Sequence, residues 1–200
     1  MTSQRSPGTP RTPAAHRIKV TLAGSRPPIW RRLEVPSAIT LAGLHRVLQT
    51  AFGWEDYHMW VFENAMGRYG VADRELRIAN AATKRLDHVT PAPGDRLAYT
   101  YDFGDDWEHT LQIEAVIPAE PGIAYPRCLA GRRACPPEDC GGIWGYGDLL
   151  EVLADPAHDE HEERLEWLGL ESADQFDPAA FDLIATNNAL SHLATVLTKN

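Results

Sequence analysis

Apolar and polar residues alternate along much of the first 117 residues, a pattern typical of strands with one buried face. The alternation predicts strands over residues 16–22 and 29–35, joined by a turn rich in glycine and proline. It predicts a second hairpin from residues 97–103 and 111–117, and a further strand over 57–63. The front of the chain is therefore expected to form an antiparallel sheet.

Helical spacing of apolar residues predicts one helix over residues 41–52 and three in the last third of the chain, over 148–153, over 158–168 and from Asp177 onward. Residues 118–142 contain five prolines and all three cysteines, and are predicted to be a long loop. Strands followed by helices indicate an α+β fold, in which an antiparallel sheet from the first 117 residues is packed by helices mostly from the C-terminal third.

Composition divides the chain into a short tail and one domain. Residues 1–15 are dominated by Pro, Ser, Thr, Gly and Arg, which predicts a disordered tail before a single α+β domain over 16–198. No apolar run approaches the ~18–20 residues of a membrane helix, and no secretory signal is recognisable. We therefore expect a cytoplasmic protein without a membrane partner.

The net charge of −9 is unevenly distributed. Residues 1–17 carry +3, residues 18–137 are balanced, and residues 138–200 hold two basic against fourteen acidic side chains, a net charge of −12. Such an acidic block repels a phosphate backbone. Charge therefore disfavours nucleic acid as a partner.

Polar residues crowd the end of the second hairpin: Asp102, Asp105, Asp106, Glu108 and His109, with Trp107 among them. Carboxylates and an imidazole at this density are the ligands that a divalent cation takes, and their mutual repulsion would also favour a general acid. The alternative is turn chemistry, since Gly104-Asp105 suits a tight turn and an Asp accepts backbone N–H groups there.

The cysteines are a second candidate site. Cys128, Cys135 and Cys140, with His109, His58 or an acid as fourth ligand, would form a zinc site. The six residues between the first two thiols exceed the two to four that zinc ligand pairs prefer. Three unconnected, partly buried thiols are the alternative. An odd number of cysteines without an export signal also argues against a disulfide framework.

The loop and the hairpin end are expected to form one site, because charges at the hairpin end cannot be buried unpaired. Arg132 and Arg133 would pair with the hairpin acids, or a shared metal would join the two segments, with Glu138 and Asp139 completing the surface. A separate aromatic and basic front would stack and neutralise a single strand, with the doubled arginines of Trp30-Arg31-Arg32 and Arg132-Arg133 and the rings of Trp54, Trp60 and Trp144. Arg31 shares its strand face with apolar residues and should need a partner such as a hairpin acid.

Two phrases are distinctive, LAYTYDFGDDWEH at residues 97–109 and ACPPEDCGGIWGY at 134–146. With PPIWRRLEVP at 27–36, LHRVLQTAFGWEDYH at 44–58 and DPAHDEHEERLEWLG at 155–169, they make the chain resemble the pRiA4b-type plasmid open-reading-frame-three family. The resemblance covers about residues 16–190. It implies a roll-like α+β fold and an association with plasmids and mobile elements, and supplies no chemistry.

Three hypotheses for function stay open. The first is a non-enzymatic binding or adaptor module with a protein partner. The second is a metal-dependent hydrolase, with residues from both segments: Asp102, Asp105, Asp106, His109, Glu138 and Asp139. The third is a single-stranded nucleic-acid binder that uses the Arg/Trp-rich front. The one cofactor these residues suggest is a divalent metal such as zinc.

Overall fold

A computed structural model describes residues 13–197 and has a single open sheet of eight strands. The strands are β1 Ala14–Leu22, β2 Trp30–Pro36, β3 Trp60–Asn64, β4 Gly67–Gly70, β5 Ile78–Asn80, β6 Arg96–Tyr101, β7 Trp107–Pro118 and β8 Arg127–Arg132. Their order across the sheet is β5-β4-β3-β6-β7-β1-β2-β8. All neighbours are antiparallel except β4 and β5, which are parallel.

The helices are α1 Leu41–Phe52, α2 Leu86–Val89, α3 Gly142–Ala154, α4 His161–Leu168 and α5 Leu183–Leu197, with short 3₁₀ turns at Ala81–Thr83 and Ala173–Gln175. The α+β class is therefore confirmed, with three of the five described α-helices in the last third. None of the described helices is both long and apolar enough to cross a membrane.

The alternation of the central strands decides which face of the sheet is buried. Ile18 and Val20 of β1 and Leu111 and Ile113 of β7 are inaccessible to solvent and lie in one core with the helices. The intervening positions are polar, as expected of an antiparallel sheet with one wet face. The predicted strands β1, β2, β6 and β7 are confirmed.

Helix α1 has the predicted bounds, because both of its ends carry clear signals. The Thr40 side chain accepts a hydrogen bond from the Gly43 N–H, and Gly53 follows the helix in the left-handed conformation, at φ 86°. Leu44 and Leu48 lie on its buried face, next to the sheet.

The structure differs from the sequence-based expectation mainly in the part of the chain after residue 117. Strand β8 lies inside the predicted loop and pairs with β2. Helix α3 starts at Gly142, six residues before the predicted start, within a glycine-rich stretch of low intrinsic helix propensity. Helix α5 starts at Leu183, not next to Asp177. Residues 1–12 of the predicted tail lie outside the described residues, and Ala14 already belongs to β1.

Arg31 is buried as its strand position predicts, but its partners are not acids. Its guanidinium donates to the carbonyl oxygens of Ala51 and Arg132, at 3.0 and 3.2 Å. It also lies over the rings of Phe52 and Phe181, 5.1 and 4.3 Å from their centroids. The expected contact with a hairpin acid is therefore wrong. Burial lowers the pKa of Arg31, and the carbonyl oxygens and ring faces balance its charge.

The edge strand β8 is held by a buried carboxylate. Glu34 in β2 is fully buried and accepts hydrogen bonds from Arg17 of β1, at 2.8 Å, and from Arg127 of β8, at 2.7 Å. A buried carboxylate needs such partners, because leaving it unpaired in an apolar interior is costly. This ion-pair network fixes the start of β8, and thereby the loop that follows it.

Candidate functional site

The turn between β6 and β7 is built from aspartates. Asp102 and Asp106 both have left-handed backbones, at φ 55° and 54°, a conformation that Asp tolerates better than most residues. One carboxylate oxygen of Asp102 accepts a hydrogen bond from the Gly104 N–H at 2.8 Å. The backbone N–H of Asp102 donates to the carbonyl oxygen of Met59. Turn chemistry therefore explains part of the acidic cluster, and leaves the other Asp102 oxygen free for a second contact.

That second oxygen belongs to a three-residue cluster. Asp102 Oδ2 and Asp139 Oδ1 lie 3.7 and 3.2 Å from His58 Nε2. Among residues 13–197, this is the one group of three or more His, Cys, Asp or Glu side chains whose ligand atoms lie within 4.8 Å of one another. His58 Nε2 is buried, and its contacts with the carboxylates do not have hydrogen-bond geometry.

Adjacent strand ends bring the cluster together. His58 lies two residues before β3, and Asp102 directly follows β6, the neighbour of β3 in the sheet. Asp139 comes from the loop between β8 and α3 and has a left-handed backbone at φ 59°. The Asp102 side chain is 10% exposed, whereas that of Asp139 is 67% exposed. The cluster is therefore buried on the side of Asp102 and open to solvent on the side of Asp139.

These distances suit a small metal ion. Zinc bonds to nitrogen and carboxylate oxygen are about 2.0–2.2 Å, so two ligand atoms of a tetrahedral site lie about 3.3–3.6 Å apart. The separations of 3.2 and 3.7 Å from His58 Nε2 to the two carboxylates are close to that range. One imidazole and two carboxylates could therefore hold a divalent ion and leave a fourth position towards solvent.

The loop that carries Asp139 is tied to the segment after α1. Tyr101 donates a short hydrogen bond to one oxygen of Glu138, and the other oxygen accepts the Glu55 N–H at 2.9 Å. The Trp54 indole N–H donates to the Pro136 carbonyl oxygen at 3.0 Å. Burial, and then the Glu138 carboxylate, raise the pKa of Tyr101, so its hydroxyl stays a donor. Glu138 therefore positions the loop beside the cluster.

The same loop contacts the turn through backbone groups. The Gly141 N–H donates to Asp105 Oδ2 at 3.2 Å, which places a carboxylate at the start of α3. A Cβ on Gly142 would lie 2.3 Å from the Asp105 carbonyl oxygen. Within residues 13–197, neither Arg132 nor Arg133 forms an ion pair with a hairpin acid. The two segments meet as expected, but without the expected arginine–aspartate pairs.

The cysteines are free thiols in mostly apolar surroundings. Cys128 is buried, whereas Cys135 and Cys140 are partly buried. Burial raises the pKa of all three thiols, that of Cys140 to about 12. No three ligand atoms from these thiols and His109 lie within 4.8 Å of one another in the described part of the chain. The structure therefore does not assemble the zinc set predicted from their spacing.

His109 and Trp107 lie in the core. The His109 ring is surrounded by Phe52, Trp54 and Tyr99, with ring centroids 4.9–5.4 Å away, and its Nδ1 bonds to the Trp107 carbonyl oxygen. Burial lowers the pKa of His109 to about 4, so the ring is neutral. Both residues were predicted for the surface of the site, and the structure places them beneath it.

The structure places His58 beside the carboxylates of the site, where the sequence predicted His109. The sequence suggests His58 only as one possible fourth ligand for the thiols. The signal that could have found it is register, because a residue just before β3 meets the residue just after β6 when the two strands are antiparallel. Large exposed apolar side chains flank the cluster in sequence: Tyr57 and Met59 beside His58, and Phe103 beside Asp102.

The Arg/Trp-rich front is only partly exposed. The charged groups of Lys19 and Arg32 contact the Trp30 ring, at 5.2 and 5.3 Å from its centroid. Arg32 also pairs with Glu114 at 2.7 Å, and Arg31 is buried. The cations and ring that would contact a single strand are thus already in contact with one another.

Fold and cluster together define the class: an α+β protein with an open, mostly antiparallel sheet and a histidine–carboxylate cluster where two neighbouring strands end. The profile of the family described as Plasmid pRiA4b ORF-3-like protein matches residues 14–185, so the chain belongs to that family.

Two relatives illustrate how far the similarity extends. The chain is 41% identical over 181 residues to "Uncharacterized protein y4hQ" of Sinorhizobium fredii, a match that covers 89% of this chain and 91% of the relative. It also resembles the crystal structure of a protein of unknown function, MM3350, from Methanosarcina mazei Go1. That match has a TM-score of 0.78 and 37% identity, and covers 87% of this chain and 98% of the other.

Proposed function

We propose that the protein is a binding module that acts through a divalent metal ion held by His58, Asp102 and Asp139. One observation carries the proposal: His58 Nε2 is buried between two carboxylates and makes no hydrogen bond with either. A buried polar atom without such a bond is unusual and needs an explanation. A metal ion that accepts the nitrogen lone pair would supply one.

The donor set and its surroundings support a partner that completes the coordination. Imidazole with carboxylates suits Zn²⁺ or Mn²⁺, whereas Mg²⁺ prefers oxygen ligands and water. The exposed side of Asp139 leaves room for one external ligand atom. The exposed side chains of Tyr57, Met59 and Phe103 would add apolar contacts with a protein that supplies this ligand.

Metal titration tests the proposal directly. Protein freed of metal with a chelator and then dialysed should bind one equivalent of Zn²⁺ or Mn²⁺ in isothermal titration calorimetry. His58→Gln and Asp139→Asn should each weaken binding at least tenfold. His88→Gln, at a histidine that is 64% exposed, serves as the matched control and should bind like the wild type. Equal affinities of the His58 and His88 variants would contradict the proposal.

The open position has its own test. Co²⁺ in place of Zn²⁺ gives an absorption spectrum that responds to its ligands. Adding free imidazole to the cobalt protein should change this spectrum saturably. A spectrum that does not respond would mean that the ion is fully enclosed, and would exclude partner binding through the metal.

A metal-dependent hydrolase is the second candidate, and Glu138 is the observation that favours it. Its carboxylate lies next to Asp139 in the chain and is fixed by Tyr101. In this role an ion held by His58, Asp102 and Asp139 would supply Lewis-acid activation of a water molecule, and Glu138 would accept the proton that this water loses. Glu138→Gln should then abolish hydrolysis of generic phosphate or carboxylate esters. Because Glu138 also holds the loop that carries Asp139, the result counts only where calorimetry shows that this variant still binds the metal. Absence of any metal-dependent turnover would exclude this candidate and leave the binding module.

A further inference from the structure

A pocket of about 760 Å³ lies between the β1–β2 loop and the first turns of α3. Its apolar walls include Pro27, Ile29, Ile143 and Leu150, and the Trp144 ring at its edge is 85% exposed. The volume is within the range of small-molecule sites. The pocket shares no lining residue with the His58 cluster, so it is a separate feature of the molecule.

Two polar groups that line this pocket have no partner within residues 13–197. Tyr146 is 5% exposed, and its buried hydroxyl makes no hydrogen bond. Arg133, which has a left-handed backbone at φ 69°, forms no ion pair. A buried hydroxyl without a partner is costly, whereas the half-buried Arg133 is free to pair with an anion that enters the pocket. The guanidinium can only donate and the hydroxyl can also donate, so one acceptor group would satisfy both.

The two donors are close enough to act on one ligand. Arg133 and Tyr146 both line this pocket, on the loop before α3 and on α3 itself. Burial raises the pKa of Tyr146 to about 12, and the positive charge of Arg133 opposes that shift. A guanidinium and a neutral hydroxyl side by side are suited to the two oxygens of a carboxylate. Arg26 lines the same pocket and adds a second positive charge at its rim.

The acidic side chains of the pocket narrow the class of ligand. Asp148 and Glu151 line its α3 side, and also border the neighbouring pocket on the other side of that helix. With two arginines and two acids around it, the pocket has no excess positive charge. A phosphate dianion would meet repulsion from the two acids, whereas a single carboxylate placed at Arg133 would meet less.

We infer that this pocket binds a small, flat, apolar molecule with one carboxylate. The apolar body lies against Trp144 and Ile143, and the carboxylate accepts hydrogen bonds from Arg133. The Tyr146 hydroxyl, which is closed to solvent in the unliganded pocket, becomes its second donor when the wall that covers it moves. This site is independent of the proposed metal ion, because no residue is common to both.

The test uses 2-naphthoate as the probe and its neutral amide, 2-naphthamide, as the control ligand. Titration followed by tryptophan fluorescence and by calorimetry should show saturable binding of the acid, with the amide at least tenfold weaker. Arg133→Gln should weaken binding of the acid at least tenfold, and Tyr146→Phe at least threefold. Arg132→Gln is the matched control, since this neighbouring arginine is exposed and does not line the pocket, and it should bind like the wild type.

Three results would overturn the inference. They are no saturable binding of the acid at millimolar concentration, equal affinity for acid and amide, and equal affinities of the Arg132 and Arg133 variants. Tyr146→Phe removes a buried atom that has no partner, so its melting temperature should equal or exceed that of the wild type, and any loss of binding reports on recognition. Repeating the titration with a chelator should give the same affinity, which separates this site from the proposed metal.

Discussion

The neutral ring of His109 makes the stability of the protein depend on pH. The ring is completely buried among aromatic side chains, and burial lowers its pKa from the ordinary value of 6.5 to about 4. In the unfolded chain the same ring takes up a proton near pH 6.5. Between pH 6.5 and 4 the unfolded state therefore binds more protons, and the free energy of unfolding decreases as the pH falls.

We expect that lowering the pH from 7 to 5 decreases the free energy of unfolding by about 2 kcal/mol through His109 alone, since one pKa unit corresponds to about 1.4 kcal/mol. Urea denaturation of the wild type and of His109→Asn at both pH values measures it. The Asn variant keeps a donor near the Nδ1 position and should lose that part of the pH dependence. His88→Asn, at an exposed histidine, should retain it. An unchanged dependence in His109→Asn would contradict the buried, neutral ring.

The two histidines also mark the limit of residue-level prediction. His109 lies among the hairpin acids in sequence, but strand alternation turns it into the core, on the same side as Leu111. His58 lies far from those acids in sequence, but reaches Asp102 because β3 pairs with β6. Sequence proximity predicted the first as the ligand, and only the register of the sheet identifies the second.

Helix α3 is joined to the loop before it through closely approaching backbone. A Cβ on Gly145 would lie 2.0 Å from the Cys140 carbonyl oxygen, whereas a Cβ on Gly147, two residues later in the same helix, would meet nothing within 4 Å. The close approach therefore requires glycine at position 145, whereas at position 147 a side chain would have room. Because Asp139 precedes Cys140, this contact also places the exposed ligand of the cluster.

We expect opposite effects from alanine at the two positions. Gly147→Ala should stabilise the protein by about 0.5–1 kcal/mol, because alanine is the better helix former. Gly145→Ala should destabilise it by about 2 kcal/mol or more, because helix and loop must separate. Urea denaturation measures both, and the Gly147 variant is the control for helix propensity. Similar stabilities would mean that the helix and the loop are not in close contact.

Elements with a periodic pattern of apolar residues could be predicted from the sequence. An element that is held in place by ion pairs with residues distant in the sequence could not. Strands β1 and β7 alternate over their length, and α1 has both of its caps. Strand β8, with the sequence RCLAGR, shows no apolar alternation and is held by the ion pairs of Glu34 instead. Long-range contacts of that kind leave no signal in the local sequence.

The whole molecule assembles its cluster from three distant segments. His58, Asp102 and Asp139 meet only because two strand ends and one loop converge at one edge of the sheet. Two of these three ligands were predicted as site residues from the crowding of acids and from the loop. The sequence offers the third, His58, only as one possible fourth ligand for the thiols, because its approach to Asp102 follows from the pairing of β3 with β6, which leaves no local signal.

Charge across the whole molecule predicts weak binding of nucleic acid. The net charge is −9, and three arginines of the sheet are already paired, Arg32 with Glu114 and Arg17 and Arg127 with Glu34. Fluorescence anisotropy with labelled single-stranded and duplex DNA at ~150 mM salt should show no binding below micromolar concentrations, because few phosphates can be neutralised.

The Glu114→Gln variant gives this prediction a control. It frees Arg32 beside the Trp30 ring, so it should bind single-stranded DNA more tightly than the wild type, and more so at low salt. Glu160→Gln frees Arg164 on α4, far from that ring in sequence, and should have little effect. Nanomolar binding by the wild type would contradict the prediction, because it would require a cationic surface that the paired side chains of this sheet face do not provide.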